Sequence, residues 1–145
     1  MKSFGYTTVS FVNPVEALNY FNQNPTNCAL VITDYGMPQM SGLDLIKKIR
    51  KKDRNYRIKV IVISATVKNN IIYYNDKFLN LKVDKFLEKP LTLEKLKKEI
   101  SELIDWVINL YSNDVMVVNL KNSFTCYKYF NETKVCTSNI NIVVS

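Results

Sequence analysis

Three polar side chains each come at the end of a short apolar, strand-like run: Asp34, Ser64 and Lys89. In an open α/β sheet the reactive groups gather at the carboxyl ends of the strands, so these three are expected to converge. A carboxylate is a nucleophile that can accept a phosphoryl group. A hydroxyl and an ammonium can then hydrogen-bond to the phosphoryl oxygens and neutralise their charge. The three side chains together therefore predict a phosphoryl-accepting site.

The elements that must position these side chains alternate between strands and helices along the chain. Apolar, β-rich runs predict strands at Thr7–Val12, Cys28–Thr33, Lys59–Ala65 and Lys85–Lys89. Capping signals and apolar stripes predict helices after Asn13 and Ser41, over residues 68–82, and from Thr92 to about Tyr111. This alternation with short links predicts a parallel α/β sheet that carries helices on both faces.

The loop that begins at Asp34 resembles the phosphoacceptor loop of response regulator receiver domains, D-x-x-M-P-x-M-x-G. Every fixed position of that pattern is present in residues 34–42, which read DYGMPQMSG. Ser64-Ala65 is similar to the Ser/Thr-Ala pair that ends the family's fourth strand. Lys89-Pro90 is similar to the pair that ends its fifth strand, and Phe86 matches an aromatic residue three positions earlier. The resemblance covers about residues 5–106 and implies the flavodoxin-like, doubly wound parallel sheet with strand order 2-1-3-4-5.

The resemblance also implies roles for individual residues. Asp34 is the expected phosphoacceptor, served by a histidine kinase or phosphotransfer protein, and Ser64 and Lys89 are expected to bind the phosphoryl group. The backbone carbonyl of Gly36 and the Asp34 carboxylate are the expected Mg²⁺ ligands. Ser64 and Phe86 form the expected switch, in which Phe86 turns inward and changes the surface offered to an output protein of unknown identity. Simple core packing is the alternative for Phe86.

The chain departs from the family pattern at its start. Receiver domains open with an apolar strand that ends in two adjacent acids, followed by a helix, and this sequence begins near the end of that helix. We therefore expect a receiver-type sheet that lacks its first strand and first helix, with Mg²⁺ binding weak or lost. Either the true start lies upstream, or another segment fills the gap that the strand leaves in the middle of the sheet.

The sequence predicts two parts of the chain. The first is an incomplete receiver-like domain, residues 1–106, and the second is a C-terminal extension of unknown structure, residues 107–145. Residues 114–119 of the extension, DVMVVN, look like a receiver first strand with Asn119 where an acid is expected. This run could insert into the sheet, or the extension could be a loosely packed appendage. An unfilled gap predicts an aggregation-prone chain, whereas insertion predicts that deleting residues 112–145 abolishes folding.

A smaller departure lies just before the fifth strand, where the family usually has glycine. Here residues 81–84 read LKVD, with no glycine among them. A left-handed backbone at this point would cost about 1 kcal/mol or more in a residue with a side chain.

The amino-acid composition excludes several classes of function. The chain has no histidine, which excludes histidine-based triads, imidazole metal sites and a role as phosphohistidine donor. It has no apolar stretch long enough to span a membrane and no visible secretory signal, and its three cysteines (Cys28, Cys126, Cys136) have no metal-site spacing. These features predict a cytoplasmic protein that does not act on membranes.

The net charge of +7 is concentrated in residues 45–106, which hold sixteen Lys or Arg against eight acidic residues. Arginine is scarce and no aromatic residues interleave with the lysines, so solvated helix faces are favoured over a nucleic-acid site.

Three functions follow in order of preference. The first is a phosphoacceptor receiver of a two-component phosphorelay, a stand-alone response regulator that is not an enzyme. The second is a receiver remnant that cannot be phosphorylated and acts only as a protein-interaction module. The third, a basic nucleic-acid binder, is the least favoured. The missing acidic pair separates the first two, because a phosphoryl group of charge near −2 beside Asp34 needs compensation.

Overall fold

The computed structural model describes residues 7–26, 28–65, 80–104, 114–118, 136–137 and 140–141. Apart from its last two helical residues, 80 and 81, the helix expected over 68–82 lies outside these ranges. The strands are β1 (Thr7–Phe11), β2 (Cys28–Asp34), β3 (Lys59–Ser64), β4 (Lys85–Glu88), β5 (Asp114–Val118), β6 (Cys136–Thr137) and β7 (Ile140–Asn141). The helices are α1 (Pro14–Gln23), α2 (Gly42–Arg50) and α3 (Leu93–Ile104).

Each helix begins at a side chain that accepts a hydrogen bond from the first turn. The Asn13 side chain accepts from the Val15 amide at 2.8 Å, and Pro14 occupies the first turn of α1. The Ser41 hydroxyl accepts from the Asp44 amide at 3.1 Å at the start of α2. The Thr92 hydroxyl accepts from the Lys95 amide at 3.2 Å before α3. These caps are local sequence signals, so the helix starts agree with the sequence prediction.

The main sheet has five parallel strands in the order β1-β5-β2-β3-β4. The strand contributed by the C-terminal extension, β5, lies between β1 and β2. Its residues pair with Thr7–Phe11 on one side and with residues 28–33 of β2 on the other. The parallel α/β class and its receiver-type arrangement are thereby confirmed, with β5 in the position of the family's first strand.

The expectation of a bare gap in the middle of the sheet is wrong. Residues 114–118, DVMVV, are apolar and rich in β-branched residues, so they satisfy the backbone groups of two neighbouring strands at once. Met116 in the centre of β5 is 2% exposed. Of the two alternatives for the extension, the structure shows insertion for this segment. The boundary at residues 106 and 107 stays a prediction, and residues 119–135 lie outside the described ranges.

The core lies on both faces of the sheet. All seven residues of β2 are buried, as expected for a strand covered on both sides. One face packs against α1 and α2 through a cluster that includes Phe21, Val31, Ile46, Ile49, Val60, Val62 and Met116. The alternating residues Leu30, Ile32, Ile61 and Ile63 are also fully buried, as are Leu96 and Ile100 of α3. Helices on both faces hold the strands, and therefore their carboxyl ends, in fixed register.

A buried ion pair lies at the C-terminal end of α2, close to the starts of β3 and β4. The Arg50 guanidinium, at the end of α2, is paired with the Asp53 carboxylate. It also donates to the carbonyl oxygen of Ile58 at 2.8 Å, of Leu81 at 2.8 Å and of Lys82 at 2.9 Å. Arg50 therefore ties α2 to the chain just before β3 and just before β4.

Lys82 has a φ of 48°, so the chain adopts a left-handed backbone at the point where the family usually has glycine and where a side chain makes that conformation costly. Its ammonium lies 4.1 Å from the centre of the Tyr56 ring. The cation–π contact with Tyr56 and the hydrogen bond from Arg50 to the Lys82 carbonyl oxygen stabilise this left-handed backbone. The conformation costs free energy in any residue that has a Cβ.

At the edge of the sheet, Lys85 of β4 lies 2.9 Å from a Glu99 carboxylate oxygen and 3.1 Å from one of Glu102. Hydrogen bonds to Glu99 and then Glu102 raise the pKa of Lys85 above 10.5. The ammonium form is favoured in the folded state, so this tie between β4 and α3 is present at neutral pH and is lost only as the pH rises through that elevated pKa. In the described part of the chain, no helix is long and apolar enough to cross a membrane.

Candidate functional site

The carboxyl ends of β2, β3 and β4 bring an acid and a base together across 55 positions of sequence. The Lys89 ammonium donates a hydrogen bond to Asp34 Oδ2 at 2.7 Å. Asp34 ends β2 and is 7% exposed, and the Lys89 side chain is 17% exposed. This largely buried ion pair places a positive charge beside Asp34, the carboxylate that the sequence predicts to be the nucleophile.

The second carboxylate oxygen of Asp34 faces the loop that follows β2. The Gly36 amide donates to Asp34 Oδ1 at 3.3 Å, so both oxygens of the carboxylate already have a donor. The Tyr35 amide donates to the carbonyl oxygen of Ile63 in β3 at 2.8 Å, which fixes the first residue of the loop to the neighbouring strand. The loop backbone therefore orients the Asp34 side chain towards Lys89.

Ser64, the second predicted site residue, ends β3 and is 4% exposed. Its carbonyl oxygen accepts from the Lys89 amide at 2.9 Å, so the two residues are adjacent across the β3–β4 ladder. Phe86, the predicted switch residue, pairs with Val62 and is half-buried against the core cluster of the sheet. The structure thus places Ser64 at the same sheet edge as Asp34 and Lys89, and it places Phe86 in core packing.

Receiver domains commonly bind Mg²⁺, and the donors around Asp34 decide whether this chain can hold that ion. Mg²⁺ takes six oxygen ligands and is usually held through one or two carboxylates. Within the described ranges no three histidine, cysteine or acidic side chains lie close enough to share a metal ion. Asn119, the residue expected in the place of an acid, lies outside the described residues. The described donors at this edge are the Asp34 carboxylate and the Gly36 carbonyl, which is a poor fit to a strong Mg²⁺ site.

Two residues that the sequence analysis did not single out hold the Asp34 backbone. The Thr33 hydroxyl, fully buried, donates to the carbonyl oxygen of Asp34 at 3.0 Å. Gly42, the first residue of α2, packs so close to that same carbonyl that a Cβ on it would collide with the oxygen. The Gly42 amide also donates to the Tyr35 carbonyl oxygen at 2.9 Å. The final glycine of the loop motif was the only available signal of this close approach.

Replacing Gly42 with alanine is expected to displace Asp34. The new Cβ meets backbone, which cannot rotate away, so we expect a loss of about 1–3 kcal/mol in the free energy of unfolding. Gly36→Ala is the matched control in the same loop, because a Cβ there has no neighbour within 4 Å and the backbone is not left-handed. Urea unfolding of both variants measures the effect. Equal stability losses in the two variants would contradict the close packing at Gly42.

Comparison with known protein families agrees with this geometry. The model of the response regulator receiver domain matches residues 1–101. The chain is 33% identical over 91 residues to the chemotaxis protein CheY1 of Helicobacter pylori, an alignment that covers 62% of this chain and 69% of that protein. It is 36% identical over 75 residues to the two-component response regulator ARR7 of Arabidopsis thaliana, covering 52% of this chain and 34% of that protein.

A third relative is a larger protein. The 3',5'-cyclic-nucleotide phosphodiesterase regA of Dictyostelium discoideum is 33% identical over 104 residues, which is 72% of this chain and 13% of that protein. The chain therefore spans about a third or less of the length of these two longer relatives.

Solved structures show the same likeness. A CheY from Borrelia burgdorferi, in complex with CheX, BeF₃ and Mg²⁺, superposes with a TM-score of 0.52 at 27% identity, covering 62% of this chain and 63% of that one. CheY4 of Vibrio cholerae superposes with a TM-score of 0.59 at 19% identity, covering 69% of this chain and 79% of that one, and supports the fold alone.

Proposed function

Because the chain belongs to the response regulator receiver domain family, we propose that Asp34 accepts a phosphoryl group from a histidine kinase or a phosphotransfer protein. The observation that supports this proposal most strongly is the 2.7 Å contact between the Lys89 ammonium and Asp34 Oδ2. It joins the two residues that the family motifs mark most clearly, although they are far apart in the sequence. The matched loop, residues 34–42, supplies the rest of the surroundings of the carboxylate.

The proposed reaction needs little from the protein beyond position and charge. A carboxylate oxygen of Asp34 attacks the phosphorus atom and forms an acyl phosphate, while the bond from phosphorus to the donor nitrogen breaks and its electron pair stays with the donor. The phosphoryl group that arrives has a charge near −2. Lys89 is the described cation nearest to it and can turn from the carboxylate to the new oxygens. Ser64, at the end of the next strand, is proposed to donate its hydroxyl to one of them.

Mg²⁺ is proposed to bind weakly, through Asp34 and the Gly36 carbonyl. When bound, the ion supplies positive charge to the phosphoryl oxygens. With few described oxygen ligands, a larger share of that charge compensation falls on Lys89. Because Lys89 provides most of the charge compensation, we propose that its loss would convert a working phosphoacceptor into a remnant that cannot be phosphorylated.

The test is chemical phosphorylation of the full chain with acetyl phosphate and Mg²⁺, followed by borohydride trapping and mass spectrometry. We expect label on Asp34, no label in Asp34→Asn, and a reduction of at least tenfold in Lys89→Gln at unchanged thermal stability within a few degrees. Asp44→Asn is the matched control, since Asp44 is exposed at the start of α2, its amide donates to the Ser41 hydroxyl, and the amide oxygen of asparagine can still accept the hydrogen bond that Ser41 donates to the carboxylate. Label on Asp44 with Asp34 unmodified would refute the assignment.

The second candidate, a receiver that acts only as an interaction module, is favoured by the small number of metal ligands among the described residues. It predicts no label on Asp34 at millimolar acetyl phosphate and Mg²⁺, in a chain that is folded by circular dichroism. The same experiment therefore decides between the two functions.

The binding partners and the cellular location of this chain are proposed from its family. The receiver family is a signalling family, and the absence of an enzymatic activity of its own in this chain stays a prediction. An output protein that reads the state of Asp34 is proposed, without a named candidate. A cytoplasmic location is also proposed, and it agrees with the buried Cys28 thiol, which donates to the Leu30 carbonyl oxygen and forms no disulfide.

A further inference from the structure

The end of the molecule opposite Asp34 carries a cluster of exposed cations. α2 begins beside the Asp34 loop, and its last residue, Arg50, contacts the carbonyls of Ile58 and Lys82, which precede β3 and β4. The second half of α2 and the turn after it therefore lie at the amino edge of the sheet. The exposed cations there, called the basic ridge, are Lys47, Lys48, Lys51, Lys52 and Arg54.

The basic ridge differs from four other cations of the described chain, which form ion pairs. Lys59, Lys85, Lys89 and Arg50 are each paired with a carboxylate: Asp84, Glu99 and Glu102, Asp34, and Asp53. No ion pair forms on the basic ridge within the described ranges. The acid nearest in sequence, Asp53, is 7% exposed and bound to Arg50. An exposed acid, Asp44, lies three residues before Lys47 and four before Lys48, whereas no exposed acid lies within four residues of Lys51, Lys52 or Arg54. The ridge is thus a surface of predominantly one sign.

Helix electrostatics explain only part of this arrangement. Cations in the last turn of a helix interact favourably with its carboxyl end, which accounts for one or two lysines. Like charges four residues apart on a helix repel one another, and Lys47 and the C-cap residue Lys51 have that spacing, while Lys52 lies in the turn that follows. A polyanion lying along α2 would relieve this repulsion.

Composition distinguishes between the polyanions. Protein interfaces are depleted in lysine and are anchored by aromatic, methionine and arginine side chains, and the basic ridge contains four lysines and one such side chain, Arg54. A membrane surface would be held by charge alone, because the apolar face of α2 (Leu45, Ile46, Ile49) is fully buried in the core. A nucleic-acid backbone needs only cations, with affinity from counterion release. The scarcity of arginine and aromatic residues argues against base recognition, not against contact with phosphates.

We propose that the basic ridge binds the phosphate backbone of duplex nucleic acid without sequence specificity. The ridge lies at the opposite edge of the sheet from Asp34, so binding leaves the phosphoacceptor edge exposed. The proposal does not depend on phosphorylation, and Asp34→Asn is expected to bind equally well.

The test is fluorescence anisotropy of the full chain with a labelled 20-base-pair duplex at several salt concentrations. Five phosphate contacts predict a slope of log K against log salt of about −4 to −5, and a loss of several hundred-fold in affinity between 50 and 200 mM salt. The triple variant Lys48→Gln, Lys51→Gln, Lys52→Gln is expected to weaken binding more than tenfold at 50 mM salt and to reduce the slope by about 3.

Lys95→Gln, Lys97→Gln, Lys98→Gln on α3 is the matched control, because it removes the same charge from a helix that also carries glutamates. Both triple variants must keep the wild-type melting temperature within a few degrees. Equal weakening in both variants would mean that net charge alone is responsible and would overturn the proposal. Failure to bind the duplex would also overturn it, and so would binding only to phosphatidylserine vesicles or only to polyglutamate.

Discussion

Deleting residues 112–145 is expected to abolish the cooperative unfolding transition of this chain. The deletion removes β5, which pairs with five residues of β1 and five of β2, and which is the strand partner of β1 in the described sheet. Without it the buried edge of β2 is open and β1 has no neighbouring strand within the described part of the chain. The loss exceeds the ~5–15 kcal/mol stability of a typical domain. Far-UV circular dichroism with thermal and urea unfolding measures the result.

A smaller deletion provides the control. Removing residues 136–145 eliminates β6 and β7, strands of two residues each that pair with one another outside the main sheet. A two-stranded pair of this size adds little stability, so this chain should unfold in one sharp step. A point variant tests the same element without truncation. Met116→Asp buries a charge in the middle of β5 and should unfold the protein, whereas Met116→Leu should be tolerated. A sharp, native-like transition in the chain ending at residue 111 would contradict the role of β5.

Replacing Arg50 with leucine is expected to lower the free energy of unfolding by about 3–5 kcal/mol. The change leaves the Asp53 carboxylate, 7% exposed, without its counter-charge. It also removes the donors to the carbonyl oxygens of Ile58, Leu81 and Lys82. Unsatisfied buried groups of this kind, not the ion pair itself, account for most of the cost. Urea unfolding is the measurement.

Lysine at position 50 should not restore the stability, because its single ammonium cannot reproduce the planar fork that reaches several acceptors at once. Lys52→Ala is the control, since Lys52 is exposed two residues away and should change stability by no more than about 0.5 kcal/mol. A loss below 1 kcal/mol for Arg50→Leu would show that the buried pair is not needed.

The sequence predicted most of the elements and the placement of the three site residues. The helix starts depend on caps within three residues, and the strands β2 and β3 are apolar on both faces, so local pattern was sufficient. The carboxyl ends of parallel strands meet at one edge by topology, which is why Asp34, Ser64 and Lys89 could be assigned to one site before their positions were known. Their chemical roles stay predictions until phosphorylation is measured.

Two features were not predicted because they depend on distant partners. The apolar run of β5 was visible, but nothing local to it specifies which two strands it joins, and both alternatives remained open. Arg50 was not singled out, although it lies one turn beyond Ile46, on the side of α2 that faces the core, and three residues before Asp53. A charged pair at that spacing on an otherwise apolar face was the available signal. The acceptors at Leu81 and Lys82, about thirty positions away, could not be read from it.

The position of β5 also determines when this protein can fold during its synthesis. Val9 of β1 pairs with Met116, so the centre of the sheet joins residues more than 100 positions apart. At about 5–20 residues per second, a ribosome needs roughly 5–20 s to make the intervening chain. For most of that time β1 and then β2 have been made without the strand that lies between them in the folded sheet. The central strand of the sheet can therefore pair only after β5 has left the exit tunnel, and this long loop closure is expected to slow folding.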